Sequence, residues 1–216
     1  MADLFDNLPV GEPRDETLAE GAVLLRGFAR DRADALLAAV RAVEAVAPFR
    51  HLVTPGGYRM SVAMTNCGRV GWVSDRSGYR YDTHDPIGGR PWPAMPELFR
   101  DLADTAAAKA GFGSFAPDAC LINRYEPGAR LSLHQDRDER DTGAPIVSVS
   151  LGLPATFLFG GLQRGDPTRK VRVEHGDVAV WGGPARLAFH GVAPLAEGSH
   201  AVLGRQRINL TFRKAL

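Results

Sequence analysis

The sequence predicts an α+β fold: a double-stranded β-helix, or jelly roll, buttressed by helices that precede it in the chain. Two observations carry this. Apolar residues recur at helical spacing in two stretches of the first half, whereas from Ala119 onward about eight short runs follow one another, punctuated by Gly and Pro. Helices segregated from strands in this way pack on one side of a sheet, unlike the alternating elements of a parallel α/β fold.

Residues 1–18 are polar with prolines and are expected to form a loose N-terminal arm, followed by one domain over 19–216. Residues 19–28 resemble a first strand. The clearest helix covers 31–46, where Ala33, Leu36, Leu37, Val40, Val43 and Val46 keep helical spacing until Pro48 stops it. A second helix is expected over 96–110, with Pro96 near its start and Gly111 past its end. Strands are then expected over 120–125, 130–134, 146–153, 156–159, 170–174, 178–181, 186–190 and 208–213, giving a jelly-roll core over 118–214.

The chain's 216 residues, 44% of them hydrophobic, suffice for one sizeable core. Lys and Arg number 26 and Asp and Glu 25, so a net charge of +1 supplies no global attraction for nucleic acid. A local patch would be needed. Arg164, Arg169, Lys170 and Arg172, around a Gly-Asp-Pro turn, are the best candidate, although a solvated hairpin tip is the commoner arrangement. No long apolar run suggests a membrane span, and the acidic N-terminus does not resemble a signal peptide. The two cysteines, Cys67 and Cys120, form no CxxC, which argues against a disulfide framework or zinc site and fits a reducing cytoplasm. Nothing demands an oligomer, and a monomer is expected.

Chemistry concentrates in three residues and one strand. Two imidazoles and a carboxylate can occupy one face of an iron(II) ion and leave the other open, and His134, Asp136 and His190 are the candidates. A His-x-Asp pair alone proves little in a chain with 6 His and 25 acidic residues. Indeed a second one, His175-Gly-Asp177, occurs just before the apolar run Val178–Trp181 and has the chemistry of a loop-to-strand corner. The first pair ends a run in which Leu131 and Leu133 alternate with Ser132, His134 and Asp136, so both ligands would leave one strand face. His134 and His190 would then meet across the mouth of the roll.

In the strand over 207–213, Ile208, Leu210 and Phe212 share one face, and Arg207, Asn209, Thr211 and Arg213 share the other. A solvated polar face is the bland reading. The sharper one is a carboxylate clamp, because guanidinium forks bind carboxylates bidentately. The strand alone does not decide between them.

Several segments resemble the bacterial AlkB family. They include 54–58 (TPGGY), 60–68 (MSVAMTNCG), 91–96 (PWPAMP), 118–125 (DACLINRY), 131–136 (LSLHQD), 145–154 (PIVSVSLGLP), 174–177 (EHGD), 180–183 (VWGG) and 209–213 (NLTFR). The resemblance runs from about residue 20 to the end and implies an Fe(II)- and 2-oxoglutarate-dependent dioxygenase that uses O2. It also implies a nucleotide-recognition lid over about 50–90. The implied reaction is oxidative demethylation of bases such as 1-methyladenine and 3-methylcytosine, releasing formaldehyde, succinate and CO2. The implied partner is alkylated single-stranded DNA, extending to double-stranded DNA and RNA. On matching positions, the metal ligands would be His134, Asp136 and His190, and His175 would lie at a strand entry instead.

The same resemblance assigns 2-oxoglutarate to Asn123, Tyr125, Arg207, Asn209 and Arg213, and substrate to Trp72, Tyr79, Tyr81, Asp138 and Arg164. The chemistry of the lesion fits these assignments. Methylation at these ring nitrogens leaves the base cationic and poorly paired, hence easily flipped. Trp72 would offer a π face, with His134 on the other side, and Asp138, two residues past the metal carboxylate on the same strand face, would accept from the exocyclic amine. Tyr79 and Tyr81 would hold the nucleic-acid backbone. Arg205 precedes Arg207 on the same strand face, and the spacing to Asn209 and Arg213 favours Arg207 for the salt bridge. Two other readings compete: a related oxygenase acting on protein or a small molecule, and a jelly-roll binding module without catalysis.

Overall fold

The computed structural model describes residues 15–216; most of the expected arm, residues 1–14, lies outside them. Glu16–Ala19 (β1) and Ala22–Leu25 (β2) form a hairpin turning at Gly21, whose positive φ of 74° suits a residue without Cβ. Residues 16–18 thus belong to a strand, not an arm, and the single strand expected over 19–28 is a turn plus β2. A short 3₁₀ turn at Arg30–Arg32 leads into helix α1, Ala33–Val46, which buries Leu36, Leu37, Val40 and Val43.

The stretch 50–90 is more ordered than a lid. It contains Arg50–Val53 (β3), the ten-residue Arg59–Gly68 (β4), and a hairpin of Gly71–Asp75 (β5) and Gly78–Asp82 (β6). Strand β4 is no loop: it runs through the main sheet, with Val62, Met64 and Cys67 buried. Its near-continuous burial, Val62 to Cys67, gives no alternation to find in the sequence. Only β5 and β6 stand apart, as a two-stranded sheet.

Helix α2, Glu97–Lys109, follows Pro96 and ends before Gly111. Eight further strands and a corner then complete the fold. They are Ala119–Tyr125 (β7), Leu131–His134 (β8), Ile146–Gly152 (β9), Ala155–Phe159 (β10), Arg169–Val173 (β11), Val178–Trp181 (β12) and His190–Val192 (β13), and Arg207–Arg213 (β14) closes the chain. The strand expected over 186–190 is instead a turn and loop that follow a 3₁₀ turn at Gly183–Ala185, and β13 begins where that strand was to end.

The strands form an eight-stranded sheet in the order β1-β2-β12-β9-β14-β7-β4-β3, faced by a four-stranded sheet in the order β11-β10-β13-β8. Every pairing is antiparallel. Two cores result. Ile122, Val149, Leu210 and Phe212 pack the outer face of the large sheet onto Leu36, Phe99 and Leu102 of the helices. Leu121, Ile146, Phe157, Phe159 and Trp181 fill the space between the sheets. Adjacent residues on one strand, such as Val180 and Trp181, serve opposite cores, as a pleat of period two requires. This is the jelly roll with its helical buttress.

Candidate active site

The site lies between the two sheets, where β8 ends and β13 begins. His190 is the register partner of His134, and their ring centroids are 4.4 Å apart. The approach of the two strands depends on Gly191: a Cβ there would sit 2.7 Å from the Leu131 carbonyl oxygen. The histidines are therefore strand neighbours, not residues meeting across the mouth of the roll.

Each imidazole is oriented by its own strand. His134 Nδ1 lies 2.8 Å from the Ser132 carbonyl and His190 Nδ1 2.9 Å from the Ala188 carbonyl. A carbonyl only accepts, so both Nδ1 atoms donate and both Nε2 lone pairs are left free. His134 Nε2 is 3.6 Å from Asp136 Oδ1, and His190 Nε2 is 3.7 Å from Asp136 Oδ2. Among the described residues, these three form the one cluster of His, Cys, Asp or Glu whose ligand atoms all lie within 4.8 Å of one another. Three protein donors on one side with open cavity on the other could hold a divalent ion such as iron(II).

Charge is set for that task. Burial, reinforced by neighbouring His134, pulls His190 down to about 4, so its ring is neutral near pH 7. Burial alone would raise Asp136, but Arg213, His190 and His134 together hold it below the usual carboxylate range. Arg213 grips Asp136 Oδ2 through Nε at 2.8 Å and Nη2 at 2.7 Å.

Beside the triad, β14 turns its polar row inward. Arg207, Asn209, Thr211 and Arg213 are at most 6% exposed, which removes the reading of a solvated face. Arg207 donates from Nη2 to Ser150 Oγ at 2.9 Å, and its guanidinium lies 4.9 Å over the Tyr125 ring. Its Nε and Nη1 are buried without a partner, as is Asn123 Oδ1. Unpaired donors on a buried cation are costly unless a ligand accepts from them. Antiparallel register sets the group, placing Tyr125 opposite Arg207 and Asn123 opposite Asn209. Asn123 Nδ2 donates to Asn209 Oδ1 at 3.2 Å, and Asn209 donates to Ser148 Oγ at 2.8 Å. The cradle fits a small dianion with one carboxylate at Arg207 and its other end toward the triad. Arg205 is exposed and paired with Glu197 at 2.7 Å, so the choice of Arg207 over Arg205 agrees with the geometry.

The triad, Asn123, Tyr125, Ser148, Arg207, Asn209, Thr211 and Arg213 line one cavity of about 920 Å³, and so do Trp72, Tyr79, Asp138 and Arg164. Trp72 stacks on Tyr79, with centroids 5.5 Å apart and planes 15° off parallel, and donates from Nε1 to Asp138 Oδ2 at 2.9 Å. Asp138 is not on the strand face expected for it, since β8 ends at His134 and 138 lies in the loop beyond. Arg164 donates to the Leu133 carbonyl at 2.9 Å and lies 4.9 Å over the Phe189 ring. Tyr81 is the one candidate the structure does not bring to the cavity. Its hydroxyl turns inward and donates to Glu139 Oε1 at 2.5 Å, in place of the expected contact with a nucleic-acid backbone.

Some site residues were missed. Ser148 and Ser150 are visible as alternate polar positions in the apolar run Ile146–Gly152. Glu139 sits in a charged run that reads as solvated yet is 7% exposed, and its partner Arg186 carries no signal at all. The second His-x-Asp pair is structural: His175 Nδ1 accepts from Gly152 N at 3.0 Å, and Asp177 Oδ1 accepts from Gly27 N at 2.8 Å. His200 stacks on His175, with ring centroids 4.5 Å apart. The basic turn is largely neutralised, Arg169 pairing with Glu16 and Arg172 with Glu174.

Comparison with known proteins agrees with this geometry. Residues 21–213 match the model of the 2OG-Fe(II) oxygenase superfamily. The chain is 57% identical over 215 residues to the alpha-ketoglutarate-dependent dioxygenase AlkB of Escherichia coli, covering 100% of this chain and 98% of that protein. It is 32% identical over 124 residues to the human nucleic acid dioxygenase ALKBH1, covering 57% of this chain and 32% of that one. Among solved structures, OsALKBH1 superposes with a TM-score of 0.81 at 30% identity, covering 93% of this chain and all of that one, 100%.

Proposed function

This chain belongs to the 2OG-Fe(II) oxygenase superfamily and, within it, to the AlkB proteins, and we propose that it demethylates N-methylated bases, 1-methyladenine and 3-methylcytosine first, in single-stranded DNA and RNA. As an alpha-ketoglutarate-dependent dioxygenase it uses iron(II), 2-oxoglutarate and O2, which sets aside a jelly roll that only binds. The observation that carries the substrate reading is the pair Trp72 and Asp138, an aromatic face and a carboxylate bonded to its edge, at the cavity that holds the triad. A cationic ring suits both: the quadrupole of an indole face attracts cations, and a carboxylate favours the charged lesion over the neutral base.

The residues then take these roles. His134, Asp136 and His190 would hold the metal through two neutral Nε2 atoms and one carboxylate. Arg207 would bind the distal carboxylate of 2-oxoglutarate through its unpaired Nε and Nη1, with Asn123 and Tyr125 beside it and Asn209 fixed by Ser148. Arg213 keeps Asp136 ionised and oriented. Trp72 and Tyr79 stack as one unit, so the indole is set before a base arrives, which lowers the ordering cost of binding. Asp138 would accept from the exocyclic amine, and exposed Arg164 would meet a phosphate. When bound, the metal and 2-oxoglutarate would activate O2, one atom of which would go into succinate as CO2 is lost and the other onto the N-methyl carbon, which then leaves as formaldehyde and frees the unmodified base. Buried walls of Trp181, Phe157 and Leu121 keep bulk water from that reaction.

The described residues contain no helix long and apolar enough to cross a membrane, and Cys67 and Cys120 are free although they face each other across β4 and β7, which supports a reducing cytoplasm. The test is succinate release with different substrates. A single-stranded oligonucleotide carrying 1-methyladenine is expected to stimulate it, whereas the unmethylated oligonucleotide and a methylated peptide are not. Stimulation by the peptide alone would replace the nucleic-acid reading.

A further inference from the structure

Behind the triad, Glu139, Arg186 and Tyr81, which have no role in the reading above, join Arg213 and Asp136 in a buried set of charges. Glu139 is 2% exposed at its side chain and accepts from three directions. Arg186 Nη2 approaches Oε2 at 3.1 Å, Arg213 Nε approaches Oε1 at 3.4 Å, and the Tyr81 hydroxyl donates to Oε1 at 2.5 Å. Both arginines also hold Asp136. Arg213 grips its Oδ2, and Arg186 Nη1 donates to its backbone carbonyl at 2.7 Å. Two cations and two carboxylates thus form a neutral buried cluster, and its one uncharged donor comes from β6, the strand that pairs Tyr81 with Trp72 of β5.

We propose that Tyr81, acting through Glu139, is a positioning residue for the metal-facing carboxylate of Asp136, tying the substrate hairpin β5–β6 to the metal centre. The proposal rests on His134, Asp136 and His190 being the metal ligands. Its logic is competition for one guanidinium. Arg213 directs two donors at Asp136 Oδ2, which leaves Oδ1, the oxygen 3.6 Å from His134 Nε2, unencumbered by that pair. Glu139 Oε1 lies within reach of the same Nε. The Tyr81 hydroxyl occupies that oxygen with a donor of its own, which keeps Glu139 from drawing Arg213 away. Burial and the negative charges of Glu139 and Asp136, against Arg213, push the Tyr81 hydroxyl well above the ordinary tyrosine value, so it remains a donor. Without it, Oε1 has only Arg213 to turn to, and Asp136 loses its fixed orientation. Groups that orient a ligand in this way typically matter about 10- to 100-fold in metal affinity.

The experiment is the affinity of the full chain for Mn(II), used as a redox-quiet probe under nitrogen with 2-oxoglutarate present, alongside the melting temperature of the metal-free protein. Tyr81→Phe removes only the hydroxyl and is expected to weaken Mn(II) binding about tenfold. Glu139→Gln removes the competing charge, so adding it to Tyr81→Phe is expected to restore Mn(II) binding toward the parent value. A role confined to packing would lower the melting temperature and leave the affinity alone. A Mn(II) affinity within about twofold of the parent in Tyr81→Phe, or a double variant as weak as Tyr81→Phe alone, would overturn the proposal, since such groups usually matter far more. If the parent itself bound no Mn(II), the assignment of the three ligands would fall, and this inference with it.

Discussion

His190 is neutral in the folded protein because it is buried beside His134, and that neutrality suits it to the ligand role proposed for it. It also has a consequence for stability. Its folded value of about 4 lies below the ordinary histidine value of 6.5, so between these limits the unfolded chain binds more protons than the folded one. Stability from this residue is complete above pH 6.5 and is lost as pH falls toward 4; Asp136, also held below its ordinary value, removes more at still lower pH. Metal-free protein is expected to lose about 2 kcal/mol between pH 7 and pH 5, read as a lower melting temperature. His190→Asn should flatten that dependence, and a slope equal to the parent's would contradict the account. At this scale the sequence was most legible where residue type dictates chemistry: His134, Asp136 and His190 come together in one cluster, and the polar row of β14, Arg207 included, is buried. Tyr81 and Glu139 were not legible, because nothing in a tyrosine or in a charged run reveals that its partner is buried.

The elements fix distances that residues cannot fix alone. β13 and β8 set the separation of the two histidines, and Gly191 permits it by leaving room for three backbone atoms of β8 within 3.2 Å of where a Cβ would be. Gly191→Ala must push the strands apart, because backbone cannot swing aside like a side chain. The expected cost is about 1–3 kcal/mol, typical of inserting a methyl into packed structure, with Mn(II) affinity falling as His190 leaves His134. Unchanged stability and unchanged affinity together would show that the strand spacing is not set there. Element types were legible in the helices and in most strands after Ala119, since their periods are clean. β4 was hidden by its unbroken burial, and the turn at Gly183–Ala185 by an apolar composition that imitates a strand.

The whole molecule separates support from chemistry. Helices α1 and α2 press on one face of the large sheet, and the site opens between its other face and the small sheet, so His134, His190, the polar row of β14, Trp72 and Tyr79 hang from paired strands, with Asp136, Asp138 and Arg164 on loops. With a net charge of +1, the molecule as a whole does not draw nucleic acid to itself. Recognition must come from the cavity and its rim, where Arg59, Arg130, Arg137 and Arg164 surround Trp72 and Tyr79. The jelly roll and its buttress were legible from the order of helices and strands. The division of labour between the two cores was not, because it depends on which sheet each face meets. The most direct test of the central claim is the mass of a single-stranded oligonucleotide with one 1-methyladenine after incubation with the protein, iron(II), 2-oxoglutarate and air. Loss of one methyl group, abolished by His134→Ala, is the predicted result. An unchanged mass while 2-oxoglutarate is still consumed would contradict base demethylation and leave only the oxygenase.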